Sequence, residues 1–361
     1  MRSSNVLKIM KTLEINLDKD SYDIIIDKGV LSRSGSLTSS LHKNMVCCIV
    51  TQREIFKHHG PLIYNSFRRE NYKTLFYLLP SGEEAKKTDV LEGFYRYLLD
   101  KNFDRQSLIV AFGGGVVGDL AGFAASTYMR GIPYVQIPTT LLSAVDSSVG
   151  GKTGLNFNGV KNVIGSFYQP RLVLIDVNTL RSLPKDEFTS GLGEIIKYAI
   201  LSGEEMFNLI QSHIEKIGPD SPSLINIIKE CCQIKGQIIA ADEKEQSGLR
   251  MLLNLGHTLG HAIEMITGWR HGEAIALGLA LESKFAHELG YLSERDLVRI
   301  INLIKKAGLP VQAPIIDSRL IKALITKDKK MVNNRINWVL PHSIGDVRIH
   351  TLEISKIPRI N

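Results

Sequence analysis

Cysteine is scarce and poorly placed for cross-linking. The 361-residue chain has four, in two adjacent pairs, Cys47-Cys48 and Cys231-Cys232. Neighbouring Cα atoms stand about 3.8 Å apart, too close for relaxed disulfide geometry. Both pairs lie in apolar surroundings, which excludes a disulfide-stapled scaffold and predicts buried thiols in a reducing compartment. Apolar runs of membrane-spanning length are missing, and Met1 to Met10 hold neither the apolar run nor the cleavage site of a signal peptide. A cytoplasmic protein without a membrane partner is the expectation. Low-complexity tracts, repeats, zinc-finger spacings and runs of Lys/Arg interleaved with aromatics are lacking too. The net charge of +7 therefore points away from nucleic acid and towards a small anionic ligand.

What is present is ordinarily globular, 44% hydrophobic and 22% charged, and long enough that two domains are the better expectation. The most informative stretch runs from Arg250 to Glu264, followed by His271-Gly-Glu273. Leu252, Leu253, Leu255, Leu259, Ala262 and Ile263 predict a buried helix. Into that apolar background fall Arg250, Asn254, His257, His261 and Glu264. His257 and His261 share a helix face at a spacing of four, with Glu264 three further on. Burying so many polar groups is costly unless each has a partner. A histidine pair hydrogen-bonded to its neighbours would satisfy that rule, but three histidines and two glutamates in so short a span favour a divalent metal of zinc type. His-Glu-x-x-His is absent, which excludes a metalloprotease helix.

In chain order, Leu13–Leu17 and Tyr22–Ile26 read as a hairpin, and Val46–Val50, Thr74–Leu79 and Ser107–Phe112 as buried strands. A helix is expected between the last two, reaching about Lys101, with Ser81 placed to cap it and Glu84 as the capping-box partner. Strands separated by helices imply a parallel α/β sheet. Phe112-Gly-Gly-Gly-Val-Val-Gly118-Asp119 fits the dinucleotide turn G-x-G-x-x-G between strand and helix. A glycine turn of purely structural kind fits those residues equally well, and no acidic residue follows about twenty positions later. Asp146-Ser-Ser-Val-Gly-Gly-Lys152-Thr-Gly154, continuing to Asn162, reads as a phosphate-suited loop. A Walker A motif fails there, because its first glycine would fall on Asp146. From Lys185 the period is helical throughout, save a late strand at Ile336–Leu340. The helix Phe188–Leu201 carries Glu194, Lys197 and Tyr198, and further helices are expected near 225–240, 274–289 and 294–307. The fold class is α/β: a Rossmann-like domain over 1–184 and a mostly α-helical domain over 185–361.

Taken together, these pieces resemble 3-dehydroquinate synthase, of the sugar-phosphate cyclase superfamily, over almost the whole chain. The resemblance rests on Ser81-Gly-Glu-Glu-Ala-Lys86, Gly113–Asp119, Pro138-Thr-Thr140, Gly150-Gly-Lys-Thr-Gly154, Lys161-Asn162, Gly193-Glu-Ile-Ile-Lys-Tyr198, Asp242-Glu-Lys-Glu245, Arg250–Glu264, His271-Gly-Glu273 and Asp328-Lys-Lys330. It departs from the usual pattern in one extra residue before Leu249-Arg250, which touches the placement of Lys235 and Glu245.

The resemblance implies that the first domain binds NAD and the second a metal, zinc or cobalt, held by Glu194, His257 and His271. NAD contacts would come from Gly82, Glu83 and Lys86, and from Gly114, Gly115, Val116, Val117, Gly118 and Asp119 in the glycine turn. Thr139, Thr140, Asp146, Lys152, Lys161, Thr179, Leu180, Arg181 and Ser182 would complete that surface. Glu83 then supplies the acidic group missing after the turn. Substrate would meet Asp146, Lys152, Asn162, Lys197, Lys235, Arg250, Asn254, His261 and Lys330 or its neighbour Lys329. His261 thereby changes from candidate ligand to substrate contact, and Arg130 would reach the active site of the other subunit in a homodimer.

The implied reaction converts 3-deoxy-D-arabino-heptulosonate 7-phosphate to 3-dehydroquinate and phosphate, in the shikimate route to aromatic amino acids. Its steps are transient oxidation at C5, β-elimination of phosphate, reduction, ring opening and aldol closure. Other cyclases of the superfamily, a metal-dependent polyol dehydrogenase and a non-catalytic NAD-binding regulator are the alternatives. Lys152, Arg250 and Asp328-Lys-Lys330 count against the dehydrogenase, which has no phosphate to bind, and an intact ligand set counts against the regulator.

Overall fold

Short apolar runs alternating with amphipathic segments build an open sheet whose strand order decides where a ligand can enter. The computed structural model describes residues 11–41, 46–327, 331–332 and 335–357. Its strands are β1 (Lys11–Ile15), β2 (Tyr22–Asp27), β3 (Val46–Gln52), β4 (Lys73–Leu79), β5 (Leu108–Gly113), β6 (Tyr134–Pro138) and, beyond a separate hairpin of β7 (Lys152–Phe157) and β8 (Val160–Phe167), β9 (Leu172–Asp176). The main sheet runs β1-β2-β9-β6-β5-β3-β4. Only β1 is antiparallel to its neighbour, with Lys11 opposite Ile26, as the alternation around residues 13–26 predicts. Every residue of β5 and of β9 is buried, which is why both read as unbroken apolar runs. Helices α1 (Ser34–Ser39), α2 (Arg53–Arg69), α3 (Thr88–Asp100) and α4 (Gly115–Thr127) accompany the sheet.

Adjacent strand residues point to opposite faces, and the cysteines show it. Cys47 packs with Ile63 and Phe67, whereas Cys48 packs with Phe94 and Leu98, in two distinct core clusters. Both are fully buried and free, like Cys231 and Cys232. Burial pushes the Cys47 thiol up to about 12, so it is an inert core group.

The chain steps outward from β3 to β4, returns across β3 to β5, and then continues through β6 to β9. The direction thus reverses between β3 and β5, and in open α/β sheets ligands bind beyond the carboxyl ends of strands at such a point. Gly113 ends β5 and lies there.

Three expectations are corrected. The helix after β4 begins at Thr88, and Gly82–Lys86 form a separate 3-10 turn in which Ser81 makes no side-chain cap. Gly82 has φ +68°, a left-handed residue that breaks any helix entered at Ser81. Residues 152–167 form the antiparallel β7–β8 hairpin rather than a loop. Its turn, Asn158-Gly159, has φ of +48° and +74°, the Asn-Gly turn that favours tight hairpins. The carboxyl-terminal half is not helical throughout apart from one strand: β10 (Met331–Val332), β11 (Arg335–Ser343) and β12 (Asp346–Glu353) form a second sheet.

That half contributes α5 (Lys185–Ser202), α6 (Glu204–His213), α7 (Leu224–Ala241), α8 (His257–Thr267), α9 (His271–Glu288), α10 (Glu294–Lys306) and α11 (Ser318–Lys327). The chain divides into two compact units, one of residues 1–183 with 224–240 and one of residues 184–223 with 241–361. Helix α7 thus packs with the sheet although it lies far along the chain. Ile15 fills the space beside its Gly236, where a Cβ would come within 2.4 Å of the isoleucine. Among the described residues, no helix is long and apolar enough to cross a membrane.

Candidate metal centre and nucleotide turn

The helical unit builds a donor triad by bringing backbones together. A Cβ on Gly193 would stand 2.4 Å from the Gly272 carbonyl oxygen, one on Gly272 1.7 Å from that of Ser190, and one on Gly278 1.9 Å from that of Gly256. Helices α5, α8 and α9 meet at these glycines more closely than any side chain permits. Each glycine contact sits beside a donor: Gly193-Glu194, Gly256-His257 and His271-Gly272. The expected continuous helix from Arg250 to Glu264 is also corrected. A 3-10 turn spans Leu249–Asn254, and α8 starts only at His257, after Gly256 at φ +78°. That break places His257 at a helix start.

Glu194 is completely buried. Its Oε1 lies 3.3 Å from His271 Nε2 and 3.5 Å from His257 Nε2. Tetrahedral zinc with bonds of about 2.0–2.1 Å sets its donors roughly 3.3 Å apart, so the spacing fits a divalent ion. The tautomers fit too. His257 Nδ1 lies 3.0 Å from the Leu255 carbonyl oxygen, and His271 Nδ1 3.0 Å from Glu264 Oε2. These partners accept only, so each Nδ1 donates and each Nε2 lone pair is left for a metal. Burial, with Lys197 nearby, holds His257 well below the usual histidine range. Burial also pulls His271 down, but hydrogen bonds to Glu194 and Glu264 outweigh it and lift the imidazole to about 9, so a metal ion binding there would displace the Nε2 proton. The other oxygen of Glu194 pairs with Lys197 Nζ, itself buried. His261, on the same face of α8, is exposed, its ring centroid 5.0 Å from that of His257 and 5.9 Å from that of His271. Glu273, counted among the possible ligands, instead caps α9: it accepts a hydrogen bond from the Arg270 N–H at 3.1 Å.

Arg250 is the second buried cation here, 2% exposed. Its Nη1 donates to the Glu243 carbonyl at 2.6 Å, and Nε lies 3.6 Å from Glu245 Oε1. The loop that presents it is tied by Asp242, which accepts from the backbone N–H groups of Gln246, Ser247 and Arg250 at 2.7, 3.0 and 3.1 Å. Burial alone would raise the Asp242 carboxyl, but these donors hold it at about 2. A depressed folded value means stability that is complete above the unfolded pKa near 3.9 and lost as pH falls through the folded one. Asp242→Asn should therefore lower the urea midpoint by a constant amount above pH 5, and the gap to the parent should shrink between about pH 4 and pH 2. A gap independent of pH would show that the carboxylate charge does not hold the loop.

In the sheet unit, the glycine turn lies between strand and helix. Gly114 and Gly115 have little room for side chains: a Cβ would come 3.0 Å from Thr140 Cγ2 and from Ser147 Oγ respectively. Thr139 N–H donates to the Gly113 carbonyl at 3.0 Å, tying Pro138-Thr-Thr140 to the turn. Val116, Val117 and Gly118 follow in the first turn of α4. Lys86 Nζ lies 2.6 Å from Asp119 Oδ2 and also donates to Asn162 Oδ1. Burial raises the Asp119 carboxyl, with Lys86 opposing. Exposed Glu83 accepts from Asn156 Nδ2 at 2.8 Å. Glycines closing on a helix start, with an acidic group on a neighbouring turn, suit a dinucleotide. Lys235 Nζ lies 3.0 Å from Asp146 Oδ1 and donates to its carbonyl at 2.9 Å, so the α7 lysine joins the sheet unit. Thr179 and Leu180 are buried in the 3-10 turn Val177–Ser182, with Arg181 and Ser182 exposed beside them. Lys152 and Lys161 are exposed on the β7–β8 hairpin, Asn254 is half-buried, and Arg130 is exposed. Asp328, Lys329 and Lys330 lie outside the described residues.

The roles of Glu264 and Asp242 were not read from the sequence. Glu264 left a signal in its spacing of seven from His257, which puts both on one face of α8. Asp242 left none beyond its motif.

Comparison with known proteins identifies the fold and the family. A solved 2-deoxy-scyllo-inosose synthase, complexed with carbaglucose-6-phosphate, NAD+ and Co2+, superposes with a TM-score of 0.86 at 23% identity, covering 96% of this chain and 98% of that one. The 2-epi-5-epi-valiolone synthase of Streptomyces hygroscopicus subsp. jinggangensis, with NAD+ and Zn2+ bound, gives 0.84 at 26% identity, covering 93% and 94%. The fold is thus that of the sugar phosphate cyclases. Within that class, the sequence model of the 3-dehydroquinate synthase N-terminal domain matches residues 76–190 and that of the C-terminal domain residues 191–331. The 3-dehydroquinate synthase of Thermodesulfovibrio yellowstonii is 44% identical over 351 residues, 96% of this chain and 97% of that protein. The chain belongs to the 3-dehydroquinate synthase family.

Proposed function

We propose that this chain converts 3-deoxy-D-arabino-heptulosonate 7-phosphate to 3-dehydroquinate and phosphate, using NAD and one zinc or cobalt ion per active site. What carries the reading is a metal-suited triad, Glu194, His257 and His271, in a chain that matches family members over nearly its whole length. NAD held at the glycine turn would supply reversible hydride chemistry at C5 with no net consumption, and a metal held by Glu194, His257 and His271 would supply Lewis acidity to the neighbouring hydroxyls.

The chain's own residues bind, orient and neutralise. Gly114, Gly115 and the start of α4 offer backbone N–H groups to the pyrophosphate of NAD, and Glu83 is suited to a ribose hydroxyl. Gly82, Val116, Thr139, Thr140, Lys161, Thr179, Leu180, Arg181 and Ser182 line the cofactor surface in this reading. Lys86, Asp119 and Asn162 form one hydrogen-bonded group, which fixes the β7–β8 hairpin beside the glycine turn. The substrate carries a carboxylate and a phosphate, and Lys152, Lys197, Lys235, Arg250 and Lys330 supply the positive charge to match. Asp146 holds Lys235 in place, and Asn254 and His261 hydrogen-bond substrate hydroxyls. In the elimination, the phosphate's own oxygen takes the C6 proton as the carbon–oxygen bond to phosphate breaks.

A homodimer is part of the proposal. Met129 and Arg130 both adopt left-handed φ, +50° and +66°, at an expected cost of about 1–3 kcal/mol each. That exposed, strained turn suits an arginine offered to the other subunit's substrate phosphate. We place the enzyme in the cytoplasm, in keeping with its four free, buried cysteines.

The test is phosphate release followed alongside absorbance at 340 nm. Given the seven-carbon phosphate and trace NAD, the protein should release one phosphate per carbocycle without accumulating NADH. A polyol dehydrogenase would accumulate NADH in step with oxidised alcohol, and a regulator would do neither. A cyclase for another sugar phosphate would leave this substrate untouched. Sustained NADH growth without phosphate would overturn the assignment.

A further inference from the structure

The proposed ligand and substrate contacts leave one ionisable residue of α8 without a task. Glu264 is neither a ligand in the triad nor a contact assigned to substrate, yet its side chain is only 14% exposed. A carboxylate is costly to withdraw from water unless something holds it. Its Oε2 lies 3.0 Å from His271 Nδ1, while Nε2 of the same ring faces Glu194 at 3.3 Å. One imidazole is thus gripped at both nitrogens by carboxylates from different helices. The positions follow from the helices themselves. Glu264 is seven residues, two turns, from His257 and so shares its face, and Gly268 at φ +68° turns the chain back so that α9 opens with His271. Helix α8 accordingly carries one member of the triad and also grips the member carried by α9.

We propose that Glu264 is the positioning residue of the metal centre. It fixes the His271 tautomer with Nδ1 protonated, aims Nε2 at the ion, and raises the basicity of that nitrogen. The inference rests on the triad reading above. Carboxylate–histidine–metal arrangements of this kind change metal affinity by about 10- to 100-fold when the carboxylate is removed. A competing arrangement exists, because His261, Glu264 and His271 also bring donor atoms within 4.8 Å of one another, which would make Glu264 a ligand. Exposed His261 and the Glu264–His271 hydrogen bond favour the supporting role, and the experiment separates the two.

The measurement is Co2+ affinity and the cobalt visible spectrum of the chelator-stripped full chain, by competition with a chromophoric chelator. Parent, Glu264→Gln, Glu264→Ala and His257→Ala proteins are compared, each checked for folding by circular dichroism. The parent should bind one ion. Glu264→Ala should bind about 10- to 100-fold more weakly, with its cobalt bands shifted or broadened as the ring loses its orientation. Glu264→Gln, nearly isosteric and still able to accept from Nδ1–H, should fall between, and it keeps the test valid if the alanine variant does not fold. His257→Ala should lose binding outright. Glutamine and alanine variants within twofold of the parent would overturn the positioning role. Undiminished binding by His257→Ala, with loss in Glu264→Ala, would overturn it in favour of Glu264 as ligand. A parent that binds no cobalt would overturn the triad reading itself, a result distinct from both.

Discussion

Glu194→Gln should yield a protein that neither retains a divalent ion through dialysis nor turns over substrate. The triad depends on this one carboxylate, whose Oε1 is the atom shared by both imidazoles, at 3.3 and 3.5 Å. An amide is a poor ligand for zinc or cobalt. The same change strips Lys197 of its counter-charge in a place where both side chains are excluded from water, 1% and 0% exposed. Breaking a buried pair from one side costs about 3–5 kcal/mol, so loss of metal should be joined by a lowered urea midpoint. Chelation of the parent should abolish turnover without that midpoint loss appearing through Lys197, and zinc or cobalt should restore activity. Metal content by mass spectrometry, phosphate release and urea denaturation read the three effects separately. A Glu194→Gln protein that keeps one ion per chain and parental turnover would remove Glu194 from the centre.

The second large effect is expected at Arg250. Buried to 2% and held by the Glu243 carbonyl at 2.6 Å, its guanidinium is locked in place by the loop that Asp242 ties together. A substrate carboxylate or phosphate that lost this partner would be left unpaired in a site with little water. Truncation of one member of such a pair costs roughly 2–5 kcal/mol, to be read in Arg250→Ala as a fall in kcat/KM. Lysine should rescue little, since its point charge lacks the fork that meets two oxygens at once. Metal affinity should stay near the parental value, because the guanidinium is not among the three donors of the triad. Unchanged kcat/KM would take Arg250 out of the substrate site.

Much of this site is legible along the chain because it is written in local patterns. The glycine turn shows itself as G-x-G-x-x-G between an apolar run and a helix, and the structure has β5 and α4 on either side of it. The candidate ligands show themselves as histidines and a glutamate in otherwise apolar helices, each beside a glycine. Those glycines carried more than was read from them. They mark where α5, α8 and α9 approach with no side chain between, and that close approach makes the donor distances short. The Asn158-Gly159 turn is as local a signal, but the lysines and glycines of 146–162 suggest a loop and mask it.

Other features were decided only by long-range packing. Nothing local tells that Leu224–Ala241 packs with the sheet instead of with the helices that flank it in sequence. Its amphipathic period fits either unit, and contact with Ile15, more than two hundred residues earlier, settles the matter. Nor does local pattern choose among Glu264, Glu273 and His261. All three lie within reach of His271 along the chain, yet one grips its Nδ1, one caps α9, and one sets its exposed ring beside the other two imidazoles.

By itself, then, the sequence determined the alternation of strand and helix, the thiols on opposite faces of β3, and the kinds of group suited to a metal, a nucleotide turn and an anion. These depend on side-chain period and residue chemistry, which neighbouring positions carry in full. The tertiary structure alone decided which carboxylate holds which imidazole and which helix belongs to which unit. Such choices turn on differences of an ångström or two between groups distant in the chain, and only packed backbones hold those distances.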